Sequence, residues 1–179
     1  MKTKVVFLAG FMGSGKSTIG PILANTLGWN FYDLDKVIEK KHGKKVADIF
    51  FEKGEAGFRI IEREVLQEIA CGTNLIISLG GGTMADQKNI NFMKKKGKII
   101  FLEATAESYY QRLRFKADRP ILKGKNEELL PPDELKKRIT EILNYRKKFY
   151  DQADLSFRTD NISIGKTVEN ISRIILEKF

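Results

Sequence analysis

The segment from Gly10 to Ser17, with the sequence GFMGSGKS, matches the pattern GxxxxGK[ST]. It follows the apolar run 5–8 and precedes a helical pattern from Ser17 to Leu27, so a strand, a glycine-rich turn and a helix come in direct succession. In such a loop, backbone N–H groups and the positive end of the following helix bind phosphate oxygens. The alternative is a glycine-rich turn that binds nothing, and the flanking strand and helix favour the phosphate-binding loop.

A loop of this kind assigns roles to its side chains. Lys16 is expected to reach the β and γ phosphates of a nucleotide, and Ser17 is expected to ligate Mg²⁺. The predicted nucleotide contacts from the loop and the first helical turn are Gly13, Ser14, Gly15, Lys16, Ser17 and Thr18.

Length and composition are typical of a single soluble domain. The 179 residues suit one core, and no apolar run approaches the ~20 residues that span a bilayer. The N-terminal apolar run is too short for a signal peptide, and Cys71 has no second cysteine to pair with, so we expect a cytoplasmic protein with no membrane partner. The net charge of +9 is spread along helical segments as solvated faces usually are, so we expect no nucleic-acid partner.

Short apolar runs alternate with helical patterns, which is typical of a parallel sheet covered by helices. Strands are predicted at 4–8, 30–32, 74–78, 98–102 and 154–157. Helices are predicted at 16–27, 34–41, 46–51, 55–70, 86–95, 106–115, 133–150 and 166–179. The polar segment 116–132 contains three prolines and has no sustained period, so it is predicted to be a functional surface loop.

Two carboxylates, Asp33 and Asp35, follow the second predicted strand. Ligands of open parallel sheets bind beyond the carboxyl ends of the strands, so both are candidate site residues. Aspartate is also a preferred helix N-cap, and capping alone would account for Asp33. Beside a phosphate loop we favour Mg²⁺ binding by Ser17 and Asp33, and contact of Asp35 with an acceptor hydroxyl.

Three glycines, Gly80, Gly81 and Gly82, follow the third predicted strand. Consecutive glycines cost backbone entropy and offer no side chain to a core. Either a ligand or side chain approaches the backbone closely there, or the segment is a flexible turn before the next helix; spacing alone does not separate the two.

Together these segments resemble the shikimate kinase family, with matching order and spacing along nearly the whole chain. The resemblance is carried by GFMGSGKSTIG at 10–20, Asp33-Leu34-Asp35, Phe58-Arg59 with Glu62, SLGGGT at 78–83, Arg119-Pro120-Ile121-Leu122, and Arg146 with Tyr150. It implies transfer of the γ-phosphoryl group of ATP to the 3-hydroxyl of shikimate, with Mg²⁺, on the route to chorismate and the aromatic amino acids.

The fold implied by the resemblance is α/β, a P-loop NTPase of the nucleoside monophosphate kinase-like type. It is a three-layer sandwich around a five-stranded parallel sheet in the order 2-3-1-4-5. Residues 1–179 would form one domain, with a shikimate-binding subdomain at about 33–62 and a lid at about 115–128. We expect a monomer whose partners are ATP and shikimate.

The resemblance also implies roles for individual residues. Arg59 and Arg146 would hold the substrate carboxylate, which suits a planar guanidinium, although a surface helix is the commoner place for an arginine. Glu62 would pair with Arg59 at helical spacing. The acceptor site would be completed by Asp35, as general base or as an orienting acceptor, and by the backbone of Gly80, Gly81 and Gly82.

On the nucleotide side, Arg119 resembles the lid arginine that closes over the phosphates, and Arg112 resembles the arginine that stacks on adenine. The family often has a proline in the loop after the last strand, whereas residues 160–166 here contain none.

Two alternatives of different kinds stay open at this point. One is another small-molecule kinase of the same fold, such as a gluconate kinase, a nucleoside monophosphate kinase or an antibiotic phosphotransferase. The other is a regulatory nucleotide-binding protein that binds ATP without turnover and uses its basic surface to bind nucleic acid.

The lid assignment predicts the behaviour of one variant. Arg119→Ala should lower kcat by a factor on the order of 10² to 10⁴, because charge on the transferred phosphoryl group would lose compensation. ATP affinity should fall only modestly. Steady-state kinetics measure both quantities, and an unchanged kcat would refute the role.

Overall fold

The computed structural model describes residues 4–115, 122, 128 and 130–178. Its strands are β1 Val5–Gly10, β2 Asn30–Asp33, β3 Leu75–Ser78, β4 Lys98–Glu103 and β5 Leu155–Arg158. Its α-helices are α1 Lys16–Leu27, α2 Leu34–His42, α3 Val46–Ile69, α4 Gln87–Lys96, α5 Ala106–Leu113, α6 Pro132–Tyr150 and α7 Ile164–Lys178. A short 3-10 helix, Thr83–Ala85, follows the glycine triplet.

The five strands of the described chain form one parallel sheet in the order β2-β3-β1-β4-β5, as predicted. β1 lies at the centre, with Val6 opposite Ile76 of β3 on one side and Lys98 of β4 on the other. All six residues of β1 are buried. A strand covered on both faces reads as a continuous apolar run, which is why the first strand was visible in the sequence.

Helices cover both faces of this sheet, so the architecture is a three-layer α/β sandwich. Alternate residues of β1 enter different cores because strand side chains alternate in direction. Val5 and Phe7 pack with residues of α2, α3 and α4 on one face. Val6 and Leu8 pack with residues of α1 and α7 on the other.

A third apolar cluster lies under the loop between β1 and α1. Phe11 is fully buried there against Tyr109 of α5, with ring centroids 5.0 Å apart. The Tyr109 hydroxyl donates a hydrogen bond to the carbonyl of Leu102 at the end of β4, over 3.3 Å. The cluster also takes in residues of α6. The loop therefore lies on a rigid apolar support.

The observed helices agree with the predicted ones except at their ends and at one kink. The predicted helices 46–51 and 55–70 form the two halves of α3, which is interrupted at Gly54 with φ 66° and ψ 178°. Helix α5 ends at Leu113, two residues before the predicted end. No helix among the described residues is both long and apolar enough to cross a membrane.

The N-cap of helix α4 is an aspartate that makes two contacts. Asp86 accepts a hydrogen bond from the backbone N–H of Lys88 over 2.8 Å and forms an ion pair with Arg63 of α3. Burial by itself would raise the pKa of Asp86, but the hydrogen bonds from Arg63 and from Lys88 N–H, with their positive charges, hold it below its ordinary value. The ion pair thus joins α3 to the start of α4.

This lowered pKa predicts a pH dependence of stability. The charged form of Asp86 stabilises the folded state above the unfolded pKa of about 3.9, and the contribution is lost as the pH falls through the lower folded value. Asp86→Asn keeps a capping side chain but loses the charge. Its free energy of unfolding at pH 6 should therefore be lower than that of the unaltered protein by about 1 kcal/mol. The difference should shrink below pH 4. Urea unfolding from pH 6 to pH 3 measures it, and parallel profiles would contradict the assignment.

Candidate functional site

Four candidate segments meet at one edge of the sheet. Because the strands are parallel, their carboxyl ends share that edge, and Ser78 at the end of β3 lies opposite both Leu8 of β1 and Asp33 of β2. The phosphate loop, the two aspartates, the glycine triplet and the loop after β5 all begin at this edge. This is where ligands of open parallel sheets bind.

The phosphate loop has the backbone that its glycines allow. Gly13 and Gly15 have φ of 78° and 99°, in the left-handed region that favours glycine. The Lys16 ammonium donates to the carbonyls of Gly10 and Phe11, over 2.8 Å and 3.2 Å, and so closes the loop on itself. Helix α1 begins at Lys16, so the positive end of its dipole lies at the loop. The N–H donors of the loop and the dipole of α1 therefore suit a polyphosphate.

The two predicted metal ligands are adjacent. The Ser17 hydroxyl lies 3.4 Å from Oδ2 of Asp33, while Oδ1 of Asp33 accepts a hydrogen bond from Lys36 N–H over 3.3 Å. Asp33 thus caps α2 with one oxygen and lies beside Ser17 with the other, so the capping is confirmed and Mg²⁺ binding stays a prediction. Within the described ranges no group of three or more His, Cys, Asp or Glu could hold a metal. One hydroxyl and one carboxylate fit Mg²⁺, which usually completes its shell with phosphate and water.

The glycine triplet is where the backbone must come close to polar side chains. A Cβ atom on Gly80 would lie 2.8 Å from Oδ1 of Asp35 and 3.0 Å from Oε1 of Glu62. A Cβ on Gly82 would collide with the guanidinium of Arg59. The glycines therefore make room for the acidic and basic groups of the site, which favours close approach over a flexible turn.

Arg59 is held by a buried carboxylate. Its Nη1 donates to Oε2 of Glu62 over 2.8 Å, which confirms the predicted ion pair, and its Nη2 lies 3.4 Å from Oε1 of Glu55. Burial by itself would lower the pKa of Arg59, but Glu62 and Glu55 outweigh it, so the pKa lies above its ordinary value. The guanidinium stays charged and fixed in direction, 5.5 Å from the centre of the Phe58 ring.

Arg146 reaches the same glycines from the C-terminal part of α6. Its Nη1 donates to the carbonyl of Gly81 over 2.5 Å, and the hydroxyl of Tyr150 lies 3.5 Å from that carbonyl. The Tyr150 ring stacks on Phe101 of β4 with centroids 4.3 Å apart, and burial raises the pKa of its hydroxyl. Arg146 is itself buried, so it is not the solvated helix arginine that its sequence context favoured.

The two arginines line one cleft of about 940 Å³ between α3, the 3-10 helix and α6. Two guanidinium groups that face one hollow suit a small anion, and a carboxylate in particular, because each presents paired N–H donors. The other lining residues are Glu55, Ala56, Ala85, Asp86, Gln87, Arg138, Glu141, Ile142, Tyr145 and Phe149.

A second hollow of about 270 Å³ lies beside the phosphate loop. Arg112 is part of its wall and donates to the carbonyl of Gly13 over 3.0 Å and to that of Thr159 over 3.1 Å. These bonds fix the plane of the guanidinium. Ile162 and Ile164 line the same hollow, in the segment 160–166 that contains no proline.

Some predicted residues have no structural test. Arg119 lies outside the described residues, as does most of the predicted lid 115–128. Conversely, two threonines that were not predicted hold arginines of the site. The carbonyl of Thr159 accepts a hydrogen bond from Arg112. The hydroxyl of Thr83 donates to Glu62, which in turn binds Arg59. Each threonine follows a strand end within a few residues, which is the one sequence signal that points to them.

Comparisons with known proteins agree on one family. A family model described as shikimate kinase matches residues 12–176. The shikimate kinase of Chlorobaculum parvum is 44% identical over 171 residues, which cover 96% of this chain and 91% of that protein. The structure of shikimate kinase from Bacteroides thetaiotaomicron has a TM-score of 0.87 at 38% identity and covers 97% of this chain and 99% of that chain. The shikimate kinase from Acinetobacter baumannii, solved in complex with shikimate, has a TM-score of 0.86 at 31% identity, over 97% and 93% of the two chains.

The close approach at the triplet predicts different costs for neighbouring glycines. In Gly80→Ala the new methyl group would overlap Asp35 and Glu62, so the variant should lose about 1–3 kcal/mol of unfolding free energy. Gly81→Ala is the matched control, because the nearest atom to its Cβ is Nη1 of Arg146 at 3.9 Å, an ordinary contact. Its stability should change by less than about 0.5 kcal/mol. Equal urea midpoints for the two variants would disprove the crowding at Gly80.

Proposed function

The chain belongs to the shikimate kinase family, and from this premise we propose how its two hollows divide the reaction between them. The protein is an ATP-dependent kinase that transfers the γ-phosphoryl group of ATP to the 3-hydroxyl of shikimate, giving shikimate 3-phosphate and ADP. One observation carries the division of roles. Arg59 and Arg146 face one cleft beside the glycine triplet, and Lys16 lies in a phosphate loop at the same sheet edge.

The cleft of Arg59 and Arg146 takes the acceptor. Shikimate is a small ring with one carboxylate and three hydroxyls, and its carboxylate pairs with the guanidinium groups. Asp35 contacts the reacting hydroxyl. The backbone of Gly80 and Gly81 forms a wall against which the ring lies, since a side chain on Gly80 would collide with Asp35.

The phosphate loop takes ATP. The phosphates are bound by backbone N–H groups of the loop and by the Lys16 ammonium, with contacts from Gly13, Ser14, Gly15, Lys16, Ser17 and Thr18. The adenine ring lies in the smaller hollow, with the guanidinium of Arg112 on one face. Ile162 and Ile164 supply apolar contact in that hollow in place of the absent proline.

In the transfer step, the 3-hydroxyl oxygen of shikimate forms a bond to the γ phosphorus, while the bond from that phosphorus to the β–γ bridging oxygen breaks. ADP leaves with the electron pair of the broken bond. Asp35 accepts or orients the hydroxyl proton, and Lys16 and Arg119 balance the charge on the equatorial oxygens. Ser17 and Asp33 are the residues that would hold Mg²⁺, which supplies charge neutralisation to the phosphates when bound.

We also propose where and with which partners the enzyme works. It works in the cytoplasm as a monomer, on the route to chorismate and the aromatic amino acids, with shikimate and ATP as its partners rather than nucleic acid or a membrane. Residues 33–62 form the shikimate-binding subdomain, and residues 115–128 form a lid that closes over ATP.

The test is release of ADP, measured with and without shikimate and Mg²⁺. We expect release only when both are present, and little with gluconate or a nucleoside monophosphate as acceptor. Lys16→Met should lower kcat by about 10² to 10⁴, because a phosphate-binding cation is lost. Lys94→Met, at an exposed position of α4, is the matched control and should leave kcat unchanged. Turnover with gluconate that equals turnover with shikimate would overturn the acceptor assignment.

A further inference from the structure

Thr83, the first residue of the 3-10 helix, is fully buried beside the acceptor cleft. Its hydroxyl donates a hydrogen bond to Oε1 of Glu62 over 2.7 Å. We infer that Thr83 is a positioning residue, which directs the Glu62 carboxylate and through it the guanidinium of Arg59 toward the carboxylate of shikimate. The inference rests on the proposed acceptor role of Arg59.

The environment of Glu62 requires such a donor. Its side chain is 1% exposed, so water does not solvate the charge. A buried carboxylate needs hydrogen-bond donors on both oxygens, since an unpaired charged group in low dielectric is costly. Arg59 supplies the donor to Oε2 and Thr83 supplies the donor to Oε1. Thr83 therefore supplies the hydrogen bond to the carboxylate oxygen that Arg59 does not bind.

The position of Thr83 is itself fixed by its backbone. Its N–H donates to the carbonyl of Gly80 over 3.2 Å, and its carbonyl accepts a hydrogen bond from the side-chain amide of Asn89 over 3.0 Å. Asn89 belongs to α4 and is 1% exposed. The residue is thus anchored at both backbone groups, and the direction of its hydroxyl does not depend on the acceptor.

The hydroxyl of Thr83 limits how Glu62 binds Arg59. A guanidinium and a carboxylate prefer a bidentate pair, in which two parallel N–H groups bind both oxygens. With Oε1 engaged by Thr83, Glu62 binds Arg59 through Oε2. The other N–H groups of the guanidinium then remain for Glu55 and for the acceptor carboxylate. Without the hydroxyl, Glu62 would turn to take both N–H groups of one edge, and Arg59 would hold shikimate less tightly.

The experiment compares Thr83→Val, which has a similar shape and no donor, with Thr83→Ser, which keeps the donor. Thr83→Val should raise the KM for shikimate by about 3- to 10-fold, with kcat and the KM for ATP within about twofold. Thr83→Ser should have a KM for shikimate within about twofold of that of the unaltered protein. With shikimate carboxamide, whose acceptor group is neutral, the ratio of the KM values of Thr83→Val and the unaltered protein should be smaller, because an amide accepts a weaker hydrogen bond from Arg59 than a carboxylate does.

Arg59→Met in the same assays separates this inference from the proposed function. If Arg59→Met leaves the KM for shikimate unchanged, the acceptor role of Arg59 fails and the role of Thr83 fails with it. If Arg59→Met raises the KM but Thr83→Val does not, only the inference about Thr83 is overturned. Thr83→Ala lacks the donor and fills less space, so it replaces Thr83→Val should the valine variant not fold. A wild-type KM in Thr83→Ala is then the overturning result.

Discussion

The acceptor side of this molecule depends on one buried carboxylate. Glu62 of α3 is shielded from water, so its charge must be matched by Arg59 on its own helix and by Thr83 beyond the glycine triplet. The hydrogen bond from Thr83 joins α3 to the turn that follows β3. The room for this contact exists because Gly80 has no side chain. The contacts that pack α3 on the sheet edge therefore also orient Arg59, the residue proposed to bind the acceptor.

Much of the fold followed from the sequence, because it depends on local patterns. The apolar run of β1 is continuous, because that strand is covered on both faces. The sequence also predicted two separate helices on either side of Gly54, where the structure shows the kink in α3. The predicted sheet order is confirmed, but it came from the resemblance to a family and not from periodicity. Helix ends were less well predicted, since fraying and capping decide them within one or two residues.

The site was only partly legible in the sequence, because its contacts join distant segments. Asp33 and the glycine triplet stood out since they follow strand ends, and the ion pair of Glu62 with Arg59 was visible at helical spacing. Arg146 is different, because its partner Gly81 lies 65 residues away, and only the helical spacing from Ile142 to Tyr150 places it on the buried face of α6. Thr83 was missed because a small hydroxyl residue after glycines has no distinctive pattern.

The hydrogen bonds of Arg112 have a consequence for the size of what binds at the sheet edge. They join Gly13 after β1 to Thr159 after β5, two strands that lie on opposite sides of β4. The guanidinium is a cation that donates to one carbonyl in each loop, so charge-assisted hydrogen bonds hold the two loops at a fixed separation across the end of β4. The hollow between these loops therefore has walls that one side chain ties together, so its width is set before any ligand enters.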